Sequence, residues 1–560
     1  ELAWQDLVLD QCIFVKNEGS STTVKLSGRG NADVMNNVFE ENEAGLNLAL
    51  TGGWATIKFD NLNFEKNSGD SAQLESQNLN VINSLFDSNE GDSLETSFQN
   101  TVYISNSEFT NNNGSSLSAT GSVEIVDANF SNNSNDSANV RSSNARVRNC
   151  IFKNNKSGSV EADGGDIQVS NSRFTDNNGT ALLSKSMTAS TCEFTNNRST
   201  ENGGAVSSGD VRISDCVFRG NYSKLKGGAI YLGTVSTIYE SYGRFVRPVR
   251  HIDKCVFDSN IATYEGGAIS VWNEEYINWY EQIYDHTKLS RLILEPIDRR
   301  YAYLLNVSNS IFYGNRSQRG GAFAGYGALI NCTFSQNSGY ASASVFCPIS
   351  KHPRIAYTSL TNCILWDNHN SYNSNDRHGI YNSWNLGNQF QFLPVEFQIP
   401  KYAGDPDASE FNDGGSLEDF IQIYFDNNNN TPILAQNWND NSSPFQAAFS
   451  ADPKFVNSAD PDGPDDLWMT EDDGLRLLPE SPAIDAGNSG FLSMDGCDLN
   501  KDGFLDEYTP KDLTGNQRIY GPIDLGAYEY RPRLAIKSAP GWFDLEWFGR
   551  YYEYLEHANW

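Results

Sequence analysis

The chain has 560 residues, with 40 Lys and Arg against 71 Asp and Glu, a formal net charge of −31. That charge argues against nucleic acid and anionic membranes as partners, since both repel an acidic surface. No apolar run reaches the roughly 18 residues a membrane-spanning helix needs, and the chain opens at Glu1 with neither initiator Met nor signal peptide, which reads as processed or excerpted.

From the first residues onward one short pattern recurs fourteen times: a small residue, any residue, Phe, two further residues, Asn. Cys150-Ile151-Phe152-Lys153-Asn154-Asn155 is one copy and Cys216-Val217-Phe218-Arg219-Gly220-Asn221 another. The series runs from Phe14 to Phe334 and closes on Leu365, with the Asn present from Asn17 to Asn368. Through Phe218 the spacing stays between 20 and 25 residues, the signature of a solenoid. Within one period Val211 and Ile213 alternate with polar residues and Cys216 and Phe218 alternate again, the two-residue rhythm of strands. The Leu-x-x-Leu-x-Leu signature of leucine-rich repeats is missing. Each period therefore reads as a rung of a parallel β-helix, all-β, with rungs about 4.8 Å apart and a repeat region on the order of 60 Å long. Phe is expected to stack on Phe inside, and Asn on Asn at a turn whose amides would otherwise be buried unpaired. A Gly two residues after the Asn (Gly19, Gly69, Gly91, Gly114, Gly179, Gly339) is expected to supply positive φ.

Seven of the nine cysteines (Cys12, Cys150, Cys192, Cys216, Cys255, Cys332, Cys363) fall two places before the Phe or Leu365, which makes them inward-facing fillers, not disulfides or a zinc site. Cys347 and Cys497 lie off the ladder, where they could pair. From about residue 196 a second motif joins the first: Gly203-Gly204-Ala205-Val206, Gly227-Gly228-Ala229-Ile230, Gly266-Gly267-Ala268-Ile269 and Gly320-Gly321-Ala322-Phe323. Paired glycines allow a tight corner, after which Ala and Ile resume the inward strand.

The pairing of FxxN with GGA(I/V/L) over roughly residues 10–370 resembles the repeats of the chlamydial polymorphic outer membrane proteins and related bacterial β-helix surface proteins. The resemblance implies a secreted or outer-surface protein, with adhesion among the functions of such passengers. That family ends in a membrane barrel, and the resemblance covers the repeats alone. The motifs are scaffold residues, so the resemblance transfers fold more safely than function.

Two insertions interrupt consecutive rungs of the 1–368 repeat region. Residues 232–254 bring Arg247 and Arg250, and residues 271–309 bring Trp272, Trp279, Tyr280, Arg299 and Arg300. Tyr276, Tyr280, Ile283 and Tyr284 sit at helical spacing, so a short amphipathic helix is expected. One reading is a cover packed on the rod; the sharper one is a ligand patch, rings stacking on sugars and Arg meeting carboxylate or sulfate. Residues 369–451, rich in Asn and Asp, read as irregular surface structure.

Residues 452–530 change style and read as last rungs and a carboxy-terminal cap, and 531–560 as an aromatic tail that could begin a further module. Within the cap, Asp498-Leu499-Asn500-Lys501-Asp502-Gly503-Phe504-Leu505-Asp506 follows the order of an EF-hand loop. Oxygens of Asp498, Asn500, Asp502, the Phe504 carbonyl and Asp506 can converge on a structural Ca²⁺. Thr509 stands where that loop wants a bidentate acid, so Glu507 or Asp512 would have to substitute. Asp460, Asp462, Asp465, Asp466, Asp472 and Asp473 form a second acidic cluster, the alternatives being another Ca²⁺ and a solvated turn.

No GxSxG, HExxH or phosphate-binding glycine loop occurs, and no catalytic residue is assigned. The reading is a secreted, surface-associated rod, adhesive or structural, whose partners are extracellular glycan, a surface protein or copies of itself. The alternatives are a polysaccharide lyase or glycoside hydrolase of the pectate-lyase-like β-helix type, and a tailspike-like fibre.

Overall fold

A computed structural model describes residues 6–19, 22–43, 45–97, 101–134, 140–162, 165–233, 250–271, 305–342, 344–347, 358–370, 380–382, 392–393, 397–398, 452–487, 489, 492, 511–518 and 522–531. Its strands form a parallel β-helix, and among the described residues they join into sheets of 25, 15 and 6 strands. The 15-stranded sheet takes one short strand from each rung, centred on the repeat Phe, with Phe opposite Phe in parallel register. Thirteen rings from Phe14 to Phe334 stack in one column, centroids 4.6–5.0 Å apart, and Leu365 continues it in register.

The Asn column is equally continuous. Asn155 donates from Nδ2 to Asn177 Oδ1 (2.9 Å) and to the Phe130 carbonyl (3.0 Å). Its own Oδ1 accepts from the backbone N–H and Nδ2 of Asn133 (3.0 and 3.2 Å). Each internal Asn thus satisfies its whole amide and bridges three rungs, which is why the sequence holds it constant. Cys150, Cys192, Cys216, Cys255, Cys332 and Cys363 are buried free thiols and Cys12 is half-buried. Burial pushes the Cys150 thiol up to about 11, so these sulfurs are packing atoms.

The corners differ from the expectation. Of the six glycines two places after the ladder Asn, Gly19 alone has positive φ. The left-handed residues are instead the one before the ladder Asn (Asn154, φ 56°) and the one three before the Phe (Asn149, φ 55°), repeated rung after rung. Asn and Asp tolerate that region. Glycine after the Asn serves close approach: a Cβ on Gly114 would lie 2.3 Å from the Gly91 carbonyl carbon of the neighbouring rung. In the Gly-Gly-Ala corners the two glycines have separate reasons. Gly227 has φ +66°, whereas a Cβ on Gly228 would sit 2.0 Å from the Gly267 carbonyl oxygen.

Beyond the fourteenth rung the chain differs again. Residues 369–451, expected to be irregular, contribute Ile380–Asn382, parallel to Val345–Cys347. Phe392–Leu393 and Phe397–Gln398 then pair antiparallel on the last rung. Antiparallel pairing reverses the chain and stops the parallel stack. Residues 452–487 and 511–529 make no further rung. They run in turns, with isolated bridges Phe455–Leu477 and Lys511–Gln517, across the outward face of the Phe-bearing sheet. Val256, Ile311, Trp468, Leu475, Leu513, Ala527 and Tyr528 form a second core there. The stripe it covers is the column preceding the Phe at Val217, Val256 and Ile311, three successive apolar residues where the rungs before carry Glu108, Asn129, Ile151, Arg173 and Glu193. Docking the segment sideways removes that stripe from water.

Candidate functional site

Both large insertions leave the rod at equivalent places. Leu232, just before the first, is the register partner of Val271, just before the second; on return His251 pairs with Asn306. Their roots therefore sit on adjacent rungs of one side. Arg247, Trp272, Trp279, Tyr280, Arg299 and Arg300, with the expected helix, lie outside the described residues. Arg250 does not join a surface patch. It occupies the inward column between Val211 and the next rung, is 3 % exposed and donates from Nη2 to the Gly233 carbonyl at 2.7 Å. Its Nε is 3.7 Å from Asp210 Oδ1, and burial holds the Asp210 carboxyl above its ordinary range against the pull of Arg250. An arginine in an apolar column needs such partners, so its role is to pin the root of the first insertion.

The same rung gathers a buried polar network. His251 Nε2 lies 3.3 Å from Ser308 Oγ. Ser308 donates to Asp253 Oδ1 at 2.6 Å, which also accepts from Asn309 Nδ2 at 2.8 Å. Lys254 reaches Asp215 at 2.5 Å. Burial raises the Asp253 carboxyl, opposed by the neighbouring His251. Three residue types of a hydrolytic triad are present, but in the wrong order: the hydroxyl lies between imidazole and carboxylate, whereas base chemistry needs the imidazole in the middle. Ser308 is 0 % exposed, which keeps its oxygen from any polymeric substrate. This network ties rungs 10 to 12 together.

The laterally docked segment carries the other concentration of charge. Arg219 bridges Asp258 (2.9 Å) and Asp462 (2.5 Å), and Trp468 Nε1 donates to Asp258 at 3.1 Å. Tyr528 donates its hydroxyl to Asp473, whose same oxygen accepts the Met469 N–H at 2.9 Å. Burial pushes Asp473 up to about 6 and Glu529 up to about 8, against hydrogen bonds at the first and the Arg518 charge at the second. Arg518, 0 % exposed, faces Glu529 at 3.5 Å and donates to the Ala527 carbonyl at 2.7 Å.

The second acidic cluster is thereby redirected. Asp462 meets Arg219, Asp465 accepts the Leu467 N–H, Asp472 accepts the Thr470 hydroxyl, and Asp473 faces Tyr528. Asp460 holds its turn through backbone bonds. Among the described residues no three His, Cys, Asp or Glu side chains are arranged to hold a metal. Asp498, Asn500, Asp502, Phe504 and Asp506 lie outside those residues, as does Cys497. Sequence reasoning missed Arg219, Asp258, Trp468 and Tyr528 as a docking seam. The signal available was the run of three apolar residues, Val217, Val256 and Ile311, in the column before the Phe.

A family model described as a right-handed beta helix region matches residues 48–199 and 118–278. With the parallel topology it gives the repeat region the fold class of a right-handed parallel β-helix. No curated protein and no solved structure matches the chain. Among the described residues no helix is long and apolar enough to cross a membrane.

Proposed function

We propose that the protein is a secreted, surface-associated rod that works by adhesion. The carrying observation is that its exposed chemistry is spread along the axis as repeating columns. At the corner before the ladder Asn, Asn132 bonds Asn111, Asn154 bonds Asn132 and Asn196 bonds Asp176, and at the corner three before the Phe Asn61 bonds Asn36, each to the neighbouring rung. Such columns suit a long or multivalent partner, an extracellular glycan or another surface protein, in which many weak contacts add. Bound Ca²⁺ at residues 498–506 would serve this reading by stiffening the docked segment.

The chain displayed on beads should bind polysaccharide-coated surfaces and release no soluble fragments. Fragment release without retention would overturn adhesion. A second reading, a polysaccharide lyase or glycoside hydrolase of the pectate-lyase-like type, would have to draw on His251 and Asp253 at the root of the insertions, and their burial at 1 % and 3 % exposure disfavours it. It predicts unsaturated or reducing-end products that disappear in His251→Ala.

A further inference from the structure

The column directly after the ladder Asn changes character half-way along the rod. In the early rungs it holds Glu18, Glu43, Ser68 and Glu90; from the ninth rung it holds Arg198, Tyr222, Ile261 and Arg316. The column is continuous, because from Glu43 onward each of these N–H groups donates to the ladder-Asn carbonyl of the rung before, as Tyr222 does to Asn197 and Arg316 to Asn260. From the ninth rung it also becomes a sheet of its own, six strands from Arg198–Ser199 to His369–Asn370. Arg198 lies over the Tyr222 ring at 5.1 Å. Further along, Tyr264, in the bend after Ile261–Ala262, is 48 % exposed and Tyr340, on Ser338–Ser342, is 56 % exposed. Arg198, Lys224 and Arg316 are exposed and make no ion pair among the described residues. Of the acids near this face, Glu265 is 7 % exposed and bridges Lys226 at 2.8 Å and Arg319 at 3.4 Å, and Glu201 is exposed at its first rung. This face is therefore cationic and aromatic on a chain whose net charge is −31.

We propose that this face binds a carboxylated polysaccharide lying along the rod axis, the guanidinium groups taking uronate carboxylates and the tyrosines stacking on the sugar rings. Arg198 and Arg316 are three rungs apart, about 14 Å at the strand spacing, so both reach one oligosaccharide. Guanidinium pairs carboxylate in a fork, and exposed rings give the remaining contact area. Nucleic acid fits less well, since the acidic flanks repel a polyanion of that charge density beyond the face. A uronate chain carries one charge per sugar and need not extend onto the acidic rungs before the ninth.

The proposal rests on the adhesive reading and names its ligand, and the test separates the two. Affinity electrophoresis would use the whole chain with alginate and polygalacturonate, and dextran as the neutral control. Arg198→Glu/Arg316→Glu should weaken binding to both uronates at least tenfold and flatten its salt dependence. Tyr264→Ala/Tyr340→Ala should weaken it severalfold with the salt dependence kept. All four side chains are exposed, and an unchanged melting temperature checks that each variant folds. Uronate binding that survives the charge reversal overturns this site while leaving adhesion standing. Binding to an acidic protein surface but to neither uronate assigns the face to a protein and also overturns it. Loss of binding in the reversal variant, with dextran never bound, supports it.

Discussion

Replacing Asn155 by Leu tests whether the amide column holds the rod together. Asn155 is 1 % exposed and its side chain makes four hydrogen bonds across three rungs. Leucine fills a similar volume but strands the Asn133 N–H, one Asn133 Nδ2 hydrogen and the Phe130 carbonyl. Each stranded group costs about 1–3 kcal/mol, and groups in one network add incompletely, so the loss should be about 3–6 kcal/mol. Asn17 is the internal control. It is exposed and its bonds run one way only, to Asn42 Oδ1 at 3.0 and 2.6 Å. Asn17→Leu leaves no buried group unpaired and should cost under about 1 kcal/mol. Stacked repeats need not unfold in one step, so hydrogen exchange resolved by peptide is the assay. Asn155→Leu should expose amides from residues 130 to 180 while distant rungs stay protected. Equal effects of the two substitutions would refute the reasoning.

Gly228→Ala should prevent native stacking of the tenth and eleventh rungs, because the new methyl meets the Gly267 oxygen at 2.0 Å. Gly53→Ala, with φ +81° and no atom within 4 Å, should cost only about 1–2 kcal/mol of backbone strain; circular dichroism and melting compare them. The docked segment should loosen as pH rises. Folded-state values of about 6 for Asp473 and about 8 for Glu529 exceed the ordinary 3.8 and 4.5, so their contribution is complete in acid below those ordinary values. It is lost as pH climbs through about 6 and then about 8. Proteolysis within 452–529 should be slower at about pH 5 than at about pH 9, and Asp473→Asn should remove the lower step. Thiol reagents on the native chain should modify Cys12 well before Cys150, Cys192 or Cys216, because Cys12 alone of these is not buried. Chelator should lower the melting temperature if residues 498–506 hold Ca²⁺, and Asp498→Ala/Asp502→Ala should abolish that response. A melting temperature indifferent to both removes the ion.

The ladders were legible because stacking puts the same demand on every rung. A residue that must bond its own copy above and below cannot vary, so Phe and Asn announce themselves in the sequence at fixed spacing. The corners were misread for a related reason: Asn149 and Asn154 adopt positive φ without glycine, while glycine marks the approach of another rung, a contact the linear sequence does not display. Arg250 looked like surface charge because nothing local says that its column is inward; only the Val211 register does. The docking of Trp468 and Tyr528 joins residues more than 200 apart to Asp258 and its rung. Its trace in sequence is confined to three successive apolar residues, Val217, Val256 and Ile311, in an outward column that elsewhere carries exposed Ile13 and Ile151.

Adhesion is tested most directly by incubating the whole chain with uronate polysaccharides and measuring retention and chain length in the same sample. The account predicts protein retained on the polymer, polymer length unchanged over long incubation, and no unsaturated or reducing ends above the blank. Polymer shortened in proportion to added protein, with the shortening lost in His251→Ala, would contradict it.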